Sequence, residues 1–278
     1  MQTVFLGLYE KAMPEELTWE EKLLSAQTAG FDHLEISIDE SEARLCRLWD
    51  RHKQTEIRHA MLDSGFPIRT MCLSAHRKYP MGSANVATRQ QSVDILRRAV
   101  ELAVELGIRI IQIAGYDVYY EPSTSQSVVY FMQGLETAAA LAAQYGVVLG
   151  FETMETPFMD TVQKAMRYVT QIQSPYLQVF PDVGNLSNAA LLYGEAPTTD
   201  LERGRGHIVA VHIKETAPGI YRDMRFGEGH VDFQACIQKA LDLGARLFTA
   251  EFWHTNERDW KRELEHTSRF LKSYFIIN

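Results

Sequence analysis

Apolar residues follow two spacings along the chain, and these spacings alternate from one end to the other. Short runs rich in β-branched residues have the length and composition of strands. Longer segments between them carry apolar residues at steps of three or four, with charged residues at the other positions. The clearest such segment has its apolar side chains at Val93, Leu96, Val100 and Ala103. This pattern predicts helices that each pack one face against a sheet.

Eight strand patterns are present, and a helical pattern follows each of them. The expected strands are residues 4–9, 33–38, 68–73, 109–113, 147–152, 177–182, 208–212 and 246–251. Thr18 is expected to cap the first helix, and the helix after the sixth strand is expected between residues 187 and 204. Eight alternating units predict a parallel sheet closed into a (β/α)₈ TIM barrel. No linker interrupts the series, so we expect residues 1–278 to form a single TIM-barrel domain.

Residues that can bind a metal stand at the ends of the last four strands. They are Glu152, Asp182, His212 and Glu251. Taken singly, a carboxylate after a strand is usually a helix N-cap or an ion pair, and a lone His is usually a hydrogen-bonded structural residue. The strand ends of a barrel converge on one mouth, however, where three carboxylates would repel one another. A divalent cation removes that repulsion, so the set predicts a metal site.

The donor types narrow the choice of ion. Three carboxylates and one imidazole suit Mn²⁺ or Zn²⁺, with Mg²⁺ and Co²⁺ as alternatives. No cysteine lies near these four positions in the sequence, which argues against a structural zinc site.

Composition and charge exclude several classes of protein. The chain has 46% hydrophobic and 23% charged residues, as is ordinary for a globular protein. Its net charge of −8 argues against a nucleic-acid partner, which would need a basic surface. No apolar run is long enough to predict a membrane span, and no signal peptide is visible. The three cysteines are far apart, which fits a reduced, cytoplasmic compartment.

Several motifs, taken together and in order, resemble a known family. They read LGLYEKAMP, MCLSAHRKYPMGS, IQIAGYDVYYE, PDVGNLS, HIVAVHIKET and FGEGHVDF. With the four strand-end residues, they are similar to the L-ribulose-5-phosphate 3-epimerases within the xylose-isomerase-like sugar isomerases and epimerases. The resemblance covers nearly the whole chain. It implies epimerisation at carbon 3 of a ketopentose phosphate, from L-xylulose 5-phosphate to L-ribulose 5-phosphate, in ascorbate and pentose catabolism.

The resemblance also implies roles for individual residues. Glu152, Asp182, His212 and Glu251 stand where the family has its metal ligands, and Glu152 and Glu251 also match its acid–base pair. Asn185 stands where epimerases of free sugars usually have a His. Arg222 lies in the loop where relatives place a basic substrate contact.

The expected chemistry needs two acid–base groups and positive charge. Epimerising carbon 3 removes a proton beside the carbonyl and returns one to the opposite face, so two groups must face each other. Glu152 and Glu251 satisfy this, because their strands lie three places apart in a ring of eight. For the phosphate, the basic candidates are His76, Arg77, Lys78 and Lys214. The first three are otherwise solvated surface residues, and Lys214 otherwise neutralises the carboxylates.

Other functions remain open at this point. A hexulose-phosphate or hydroxypyruvate isomerase would use the same metal and the same glutamates. A metal-dependent endonuclease would carry further ligands, and a non-catalytic sugar-phosphate binder would need no opposed pair of acids. The expected partner is a small sugar phosphate, with a homodimer as the expected assembly. Tyr116, Tyr119, Tyr120 and Trp253 are candidates for the wall of the site.

Overall fold

Eight parallel strands form one curved sheet in the computed structural model, which describes residues 3–275. The strands are β1 Phe5–Tyr9, β2 His33–Ile38, β3 Ile68–Leu73, β4 Ile110–Ala114, β5 Val148–Glu152, β6 Leu177–Phe180, β7 Val211–Ile213 and β8 Leu247–Ala250. Their order is β6-β5-β4-β3-β2-β1-β8-β7. Isolated parallel bridges join Val179 to Ile208 and Asp182 to His212, which brings β6 beside β7. The predicted TIM barrel is therefore confirmed.

Helices cover the outside of the barrel. They are α1 Trp19–Thr28, α2 Glu42–Leu45, α3 Arg51–Ser64, α4 Val86–Glu105, α5 Ser125–Tyr145, α6 Val162–Ile172, α7 Val183–Tyr193, α8 Pro197–Glu202, α9 Phe233–Asp242 and α10 Trp260–Lys272. Thr18 caps α1 as predicted, in a capping box with Glu21. The predicted apolar stripe of α4 also faces inward, since Leu96, Val100 and Ala103 are buried.

The sixth strand and its helix differ from the sequence prediction. The strand ends at Phe180, because Pro181 has no N–H to donate to a neighbouring strand. The following helix begins at Val183, four residues before the predicted start, because Asp182 caps it. The seventh strand is also shorter than predicted, and Ile208 pairs only as an isolated bridge.

The two faces of the sheet have opposite character. In β2, Leu34, Ile36 and Ile38 belong to the hydrophobic core. The alternate residues of a strand point to the other face. There, Glu35 makes hydrogen bonds to Thr70 of β3 and His212 of β7, so this face lines the inside of the barrel. The interior is thus polar, whereas the interior of a TIM barrel is usually filled by branched apolar side chains.

Among residues 3–275, no helix is both long enough and apolar enough to cross a membrane.

Candidate active site

The four strand-end residues converge at the mouth of the barrel. Glu152, Asp182, His212 and Glu251 are all buried, and each offers a ligand atom within 4.8 Å of the others. Nδ1 of His212 lies 3.2 Å from Oε1 of Glu152 and 3.9 Å from Oε2 of Glu251. The donors that the sequence grouped by position are thus also grouped in space. Three carboxylates and an imidazole form a donor set that suits a divalent metal.

The charge balance of this cluster favours a divalent cation. Oδ2 of Asp182 and Oε2 of Glu251 are buried and accept no hydrogen bond from the described part of the chain. Each lies 3.2 Å from Nζ of Lys214, so the two carboxylates share the charge of one ammonium group. Four buried carboxylates thus face two groups that can be cationic: Glu35, Glu152, Asp182 and Glu251 against Lys214 and His212. A divalent cation would supply the positive charge that the cluster lacks.

Burial and neighbouring charges set the protonation of the cluster. Burial raises the pKa of Asp182 to about 7, against the attraction of Lys214. Burial and the charge of Glu251 also raise the pKa of Glu152. For Glu251, burial would act in the same direction, but Lys214 and His212 lower its pKa to about 2. The pKa of Asp182 thus lies near neutral pH, and a further positive charge in the cluster would lower it.

Asp182 combines two features that the sequence presented as alternatives, a helix cap and a place in the strand-end cluster. Its Oδ1 accepts a hydrogen bond from the backbone N–H of Asn185 at 2.7 Å, which caps α7. Its other oxygen faces the ligand cluster. Asn185 is itself buried, and its Nδ2 donates to the carbonyl of Thr153 at 2.7 Å. Its Oδ1 has no hydrogen-bond partner in residues 3–275, and Asn185 lines the cavity above the cluster.

The sequence did not reveal a second layer of polar residues inside the barrel. Nε2 of His212 lies 2.7 Å from Oε1 of Glu35, and Thr70 donates to the other oxygen of Glu35 at 2.7 Å. Gln112 donates a hydrogen bond from Nε2 to Glu152. Although burial opposes it, Glu35 and Glu251 raise the pKa of His212, so Nδ1 carries a proton toward Glu152 when no metal is bound. With Glu35 holding the proton on Nε2, Nδ1 is the nitrogen that a metal would take. Such outer contacts fix the tautomer and orientation of a metal-binding His.

Glu35→Gln is therefore expected to weaken metal binding by about 10- to 100-fold, the usual effect of losing an outer-layer partner. The amide no longer provides a carboxylate to hold the Nε2 proton. Competition with a chelator of known affinity measures the change. The control is Asp200→Asn, because Asp200 is a buried carboxylate that contacts the backbone of α6 instead of the cluster. Equal affinity in Glu35→Gln and in the control would contradict the assignment.

A cavity of about 500 Å³, open to solvent, lies above the ligand cluster. Its aromatic walls are Tyr9, Tyr221 and Trp253, so the predicted wall residue Trp253 does line the site. Tyr116 and Tyr119 instead pack with Met154 in a small hydrophobic cluster beside it. Tyr120 is exposed and donates a hydrogen bond to Glu40.

The predicted basic residues are separated by the structure. Only Arg77 of the run after β3 lines the cavity, together with Lys214 and Arg222. His76 is buried, with Nε2 3.1 Å from the carbonyl of Ser92, and burial lowers its pKa to about 4. Lys78 is exposed and lies over the ring of Tyr79. The run forms a 3₁₀ turn, in which consecutive side chains point about 120° apart, so the three cannot face one ligand.

Lys11 is a further cation at the mouth that the sequence did not single out. It lines the cavity and forms an ion pair with Asp39. It follows β1 by two residues, so the strand-end rule that located the ligands applies to it as well. The positive charge at the mouth thus comes from the segments that follow β1, β3 and β7 rather than from one basic run.

Comparisons with known proteins agree with this geometry. A sequence profile of the xylose isomerase-like TIM barrel matches residues 23–274. The chain is 38% identical over 270 residues to the L-ribulose-5-phosphate 3-epimerase UlaE of Shigella boydii serotype 18, covering 96% of this chain and 94% of the relative. The protein of the same name from Escherichia coli O157:H7 gives the same identity and coverage.

Solved structures share the fold at low identity. D-allulose 3-epimerase from Methylomonas sp., in complex with D-allulose, superposes with a TM-score of 0.78 at 15% identity, covering 99% of this chain and 98% of that one. A xylose isomerase-like TIM-barrel protein from Mycobacterium smegmatis, in complex with magnesium, gives 0.72 at 17% identity, with 99% of each chain covered. At these identities the two structures support the fold alone.

Proposed function

Because the chain belongs to the xylose isomerase-like TIM-barrel family, we propose that it is a metal-dependent 3-epimerase of a ketopentose phosphate. The inferred reaction interconverts L-xylulose 5-phosphate and L-ribulose 5-phosphate, in ascorbate and pentose catabolism. Relatives at 38% identity carry the name of that activity. The observation that carries the proposal is the pair Glu152 and Glu251, which reach one buried cluster from strands three places apart in the barrel.

The two glutamates perform the proton transfers in this proposal. One carboxylate takes the proton from carbon 3, and the other, in its acid form, donates a proton on the opposite face. Their environments also differ: burial and Glu251 raise the pKa of Glu152, whereas Lys214 and His212 lower that of Glu251 against the effect of burial. A divalent cation held by the cluster supplies Lewis-acid stabilisation of the negative charge that develops at the carbonyl oxygen.

We infer that the cation is Mn²⁺ or Zn²⁺, held by Glu152, Asp182, His212 and Glu251. The mixed oxygen and nitrogen donors support this choice, and Mg²⁺ and Co²⁺ are the alternatives. Elemental analysis of the purified protein identifies the ion. Activity of the apoprotein after adding each ion separately then shows which one supports turnover.

A panel of substrates tests the reaction itself. Pentulose and hexulose phosphates are incubated with the protein and Mn²⁺, Zn²⁺ or Mg²⁺, and the products are separated by stereochemistry. We expect carbon 3 of a pentulose phosphate to be inverted. Two results would contradict the proposal: turnover of hexulose phosphates alone, or aldose–ketose isomerisation without inversion at carbon 3. Either would indicate an isomerase of the same superfamily.

We propose that Arg77, Arg222 and Lys214 contact the substrate and that the first two hold its phosphate. Both guanidinium groups lie at the rim of the cavity, Arg77 over the ring of Tyr119 and Arg222 over that of Trp253. Lys214 lies deeper, between Asp182 and Glu251, and so is closer to the reacting carbons. Asn185 supplies a free acceptor for a hydroxyl group.

Arg77→Ala is expected to weaken binding of the phosphorylated sugar by about 10- to 100-fold, because a charge-assisted hydrogen bond is worth roughly 1.5–3 kcal/mol. Binding of the unphosphorylated sugar should change much less. Titration calorimetry with both sugars measures the difference. Lys78→Ala is the matched control, since it removes the adjacent charge on a side chain that is exposed outside the cavity. An equal loss of affinity for the two sugars would show that Arg77 does not bind the phosphate.

We also propose a homodimer in the cytoplasm. Leu192 and Ile220 are exposed apolar side chains. Leu192 lies one turn of α7 after Asn188, and the side chain of Asn188 is hydrogen-bonded to the backbone of Gly219 and Ile220, so the two apolar residues lie near each other beside the mouth. Free cysteines in the described chain support a reducing compartment. Sedimentation of the wild type should give a dimer, and Leu192→Glu should shift it toward the monomer. A monomeric wild type at micromolar concentration would contradict this.

A further inference from the structure

The loop between β7 and α9 carries two cavity residues but has little regular structure. Tyr221 and Arg222 line the cavity, and the guanidinium carbon of Arg222 lies 4.9 Å from the ring centroid of Trp253. Within the loop, a backbone bridge joins only Ala217 and Ile220. Something other than a strand or helix must therefore hold the loop over the site.

Glu215, at the start of this loop, is a buried carboxylate bound by backbone amides. Its Oε1 accepts from the N–H groups of Thr216 and Val231, at 3.1 and 3.3 Å. Its Oε2 accepts from the N–H of Gly227, at 2.9 Å. Within residues 3–275, no cationic side chain forms an ion pair with it. A buried carboxylate is costly unless hydrogen bonds replace its hydration, and here the loop backbone provides them.

The FGEG motif is explained by this contact. Gly227 has φ of +88°, a conformation that favours glycine, and it presents its N–H to the carboxylate. A Cβ on Gly229 would lie 2.3 Å from Oε1 of Glu215 and 2.2 Å from the carbonyl oxygen of Thr216. Both glycines therefore let the loop fold closely around one side chain. His230 closes the same loop, donating its N–H to the carbonyl of Thr216 at 2.9 Å.

We propose that Glu215 is a positioning residue that holds Arg222 and Tyr221 at the mouth of the cavity. It bonds the backbone on both sides of these residues, at Thr216 and at Gly227 and Val231, and so fixes the segment between. This rests on the proposed function, in which Arg222 contacts the substrate. Glu215 has no contact with the metal-binding cluster in the described structure, so it acts on substrate binding and not on proton transfer.

The test compares Glu215→Gln with a matched control. In Glu215→Gln the side chain keeps its size, but an NH₂ group replaces one acceptor and leaves an amide of the loop unpaired. We expect KM for the sugar phosphate to rise by about tenfold or more, the effect of one lost charge-assisted hydrogen bond, with kcat changed by less than about threefold. Metal affinity should stay at the wild-type value.

Asp200→Asn is the control, because Asp200 is also a buried carboxylate that accepts two backbone N–H groups, from Val162 at 2.6 Å and Gln163 at 3.1 Å. It anchors α6, so its loss should lower stability without raising KM. Gly229→Ala is the second variant, since its Cβ would push apart the carboxylate of Glu215 and the carbonyl of Thr216 while the charge remains. It should reproduce the rise in KM, and it decides the question should Glu215→Gln not fold.

Two readouts are independent of activity. Hydrogen exchange of residues 217–226 should accelerate in Glu215→Gln and not in Asp200→Asn. The emission of Trp253, identified by comparison with Trp253→Phe, should shift as it does in Arg222→Ala. An inactive wild type would refute the proposed function while these two readouts still decide whether Glu215 holds Arg222 in place. Unchanged exchange and emission would overturn the proposal, and so would a mobile loop with an unchanged KM in an active enzyme.

Discussion

Replacing either Glu152 or Glu251 by Gln is expected to lower kcat for epimerisation by about 10²–10⁴, the usual contribution of one general acid–base group. Each side chain keeps its shape but can no longer exchange a proton. The loss should appear with both variants, because the reaction needs one group on each face of the sugar. Each residue also belongs to the ligand cluster, so metal content must be measured in every preparation.

Solvent deuterium separates proton transfer from metal binding. In heavy water, wild-type product should carry deuterium at carbon 3, because the donating group has exchanged its proton with solvent. A single Gln variant should still exchange the proton on the face of its surviving glutamate, without inverting the centre. Glu155→Gln removes a third carboxylate from the same cavity, outside the ligand cluster, and should cost far less. A Gln variant with its metal and full activity would refute the roles assigned to the pair.

The convergence of the four strand-end residues could be predicted because it depends on one rule. Each of the last four apolar runs stops at a residue that can bind metal, and the strands of a barrel all end at one mouth. Errors of one or two residues in the strand ends did not matter. Asp182 shows this, since it lies two residues beyond β6 yet still pairs with His212 across the closing seam of the barrel.

The outer layer was missed although β2 contains a signal for it. His33, Glu35 and Ser37 alternate with Leu34, Ile36 and Ile38, a pattern that usually means one face in solvent. In a barrel covered by helices, the apolar residues pack outward and the polar ones have only the interior left. A buried Glu in a central strand must find partners, so Glu35 could have been assigned to the strand-end cluster from that constraint.

The basic run after β3 shows a different limit of sequence reasoning. His76, Arg77 and Lys78 were grouped because they are adjacent in the sequence, but adjacency does not give a common direction. The local backbone conformation decides which side chain reaches the site, and sequence alone did not reveal the 3₁₀ turn. Lys11 and Arg222 reach the cavity from loops far apart in the chain, and only the folded barrel brings them together.

Glu10→Gln is expected to lower the free energy of unfolding by about 3–5 kcal/mol, the cost of breaking a buried ion pair on one side. Glu10 follows β1 and is buried. Its two oxygens accept from Arg47 at 2.7 and 2.8 Å, from Lys22 at 3.0 Å, and from the backbone N–H of Ser37 at 2.9 Å. The variant leaves both cations buried without their counter-ion, whereas Glu16→Gln, on the exposed surface, should have little effect.

The pH dependence of this loss gives the sharper test. Burial would raise the pKa of Glu10, but Arg47 and then Lys22 lower it to about 2 from the ordinary 4.5. A carboxyl group with a lowered pKa stabilises the folded state fully above its unfolded pKa, and this contribution is lost as the pH falls toward the folded pKa. The shift corresponds to about 3 kcal/mol at 1.36 kcal/mol per pKa unit.

In urea unfolding, the difference in free energy of unfolding between wild type and Glu10→Gln should stay constant from about pH 8 to pH 5.5 and shrink below about pH 4.5. A difference under about 1 kcal/mol at neutral pH, or one that does not change with acidification, would show that the ion pair does not stabilise the barrel.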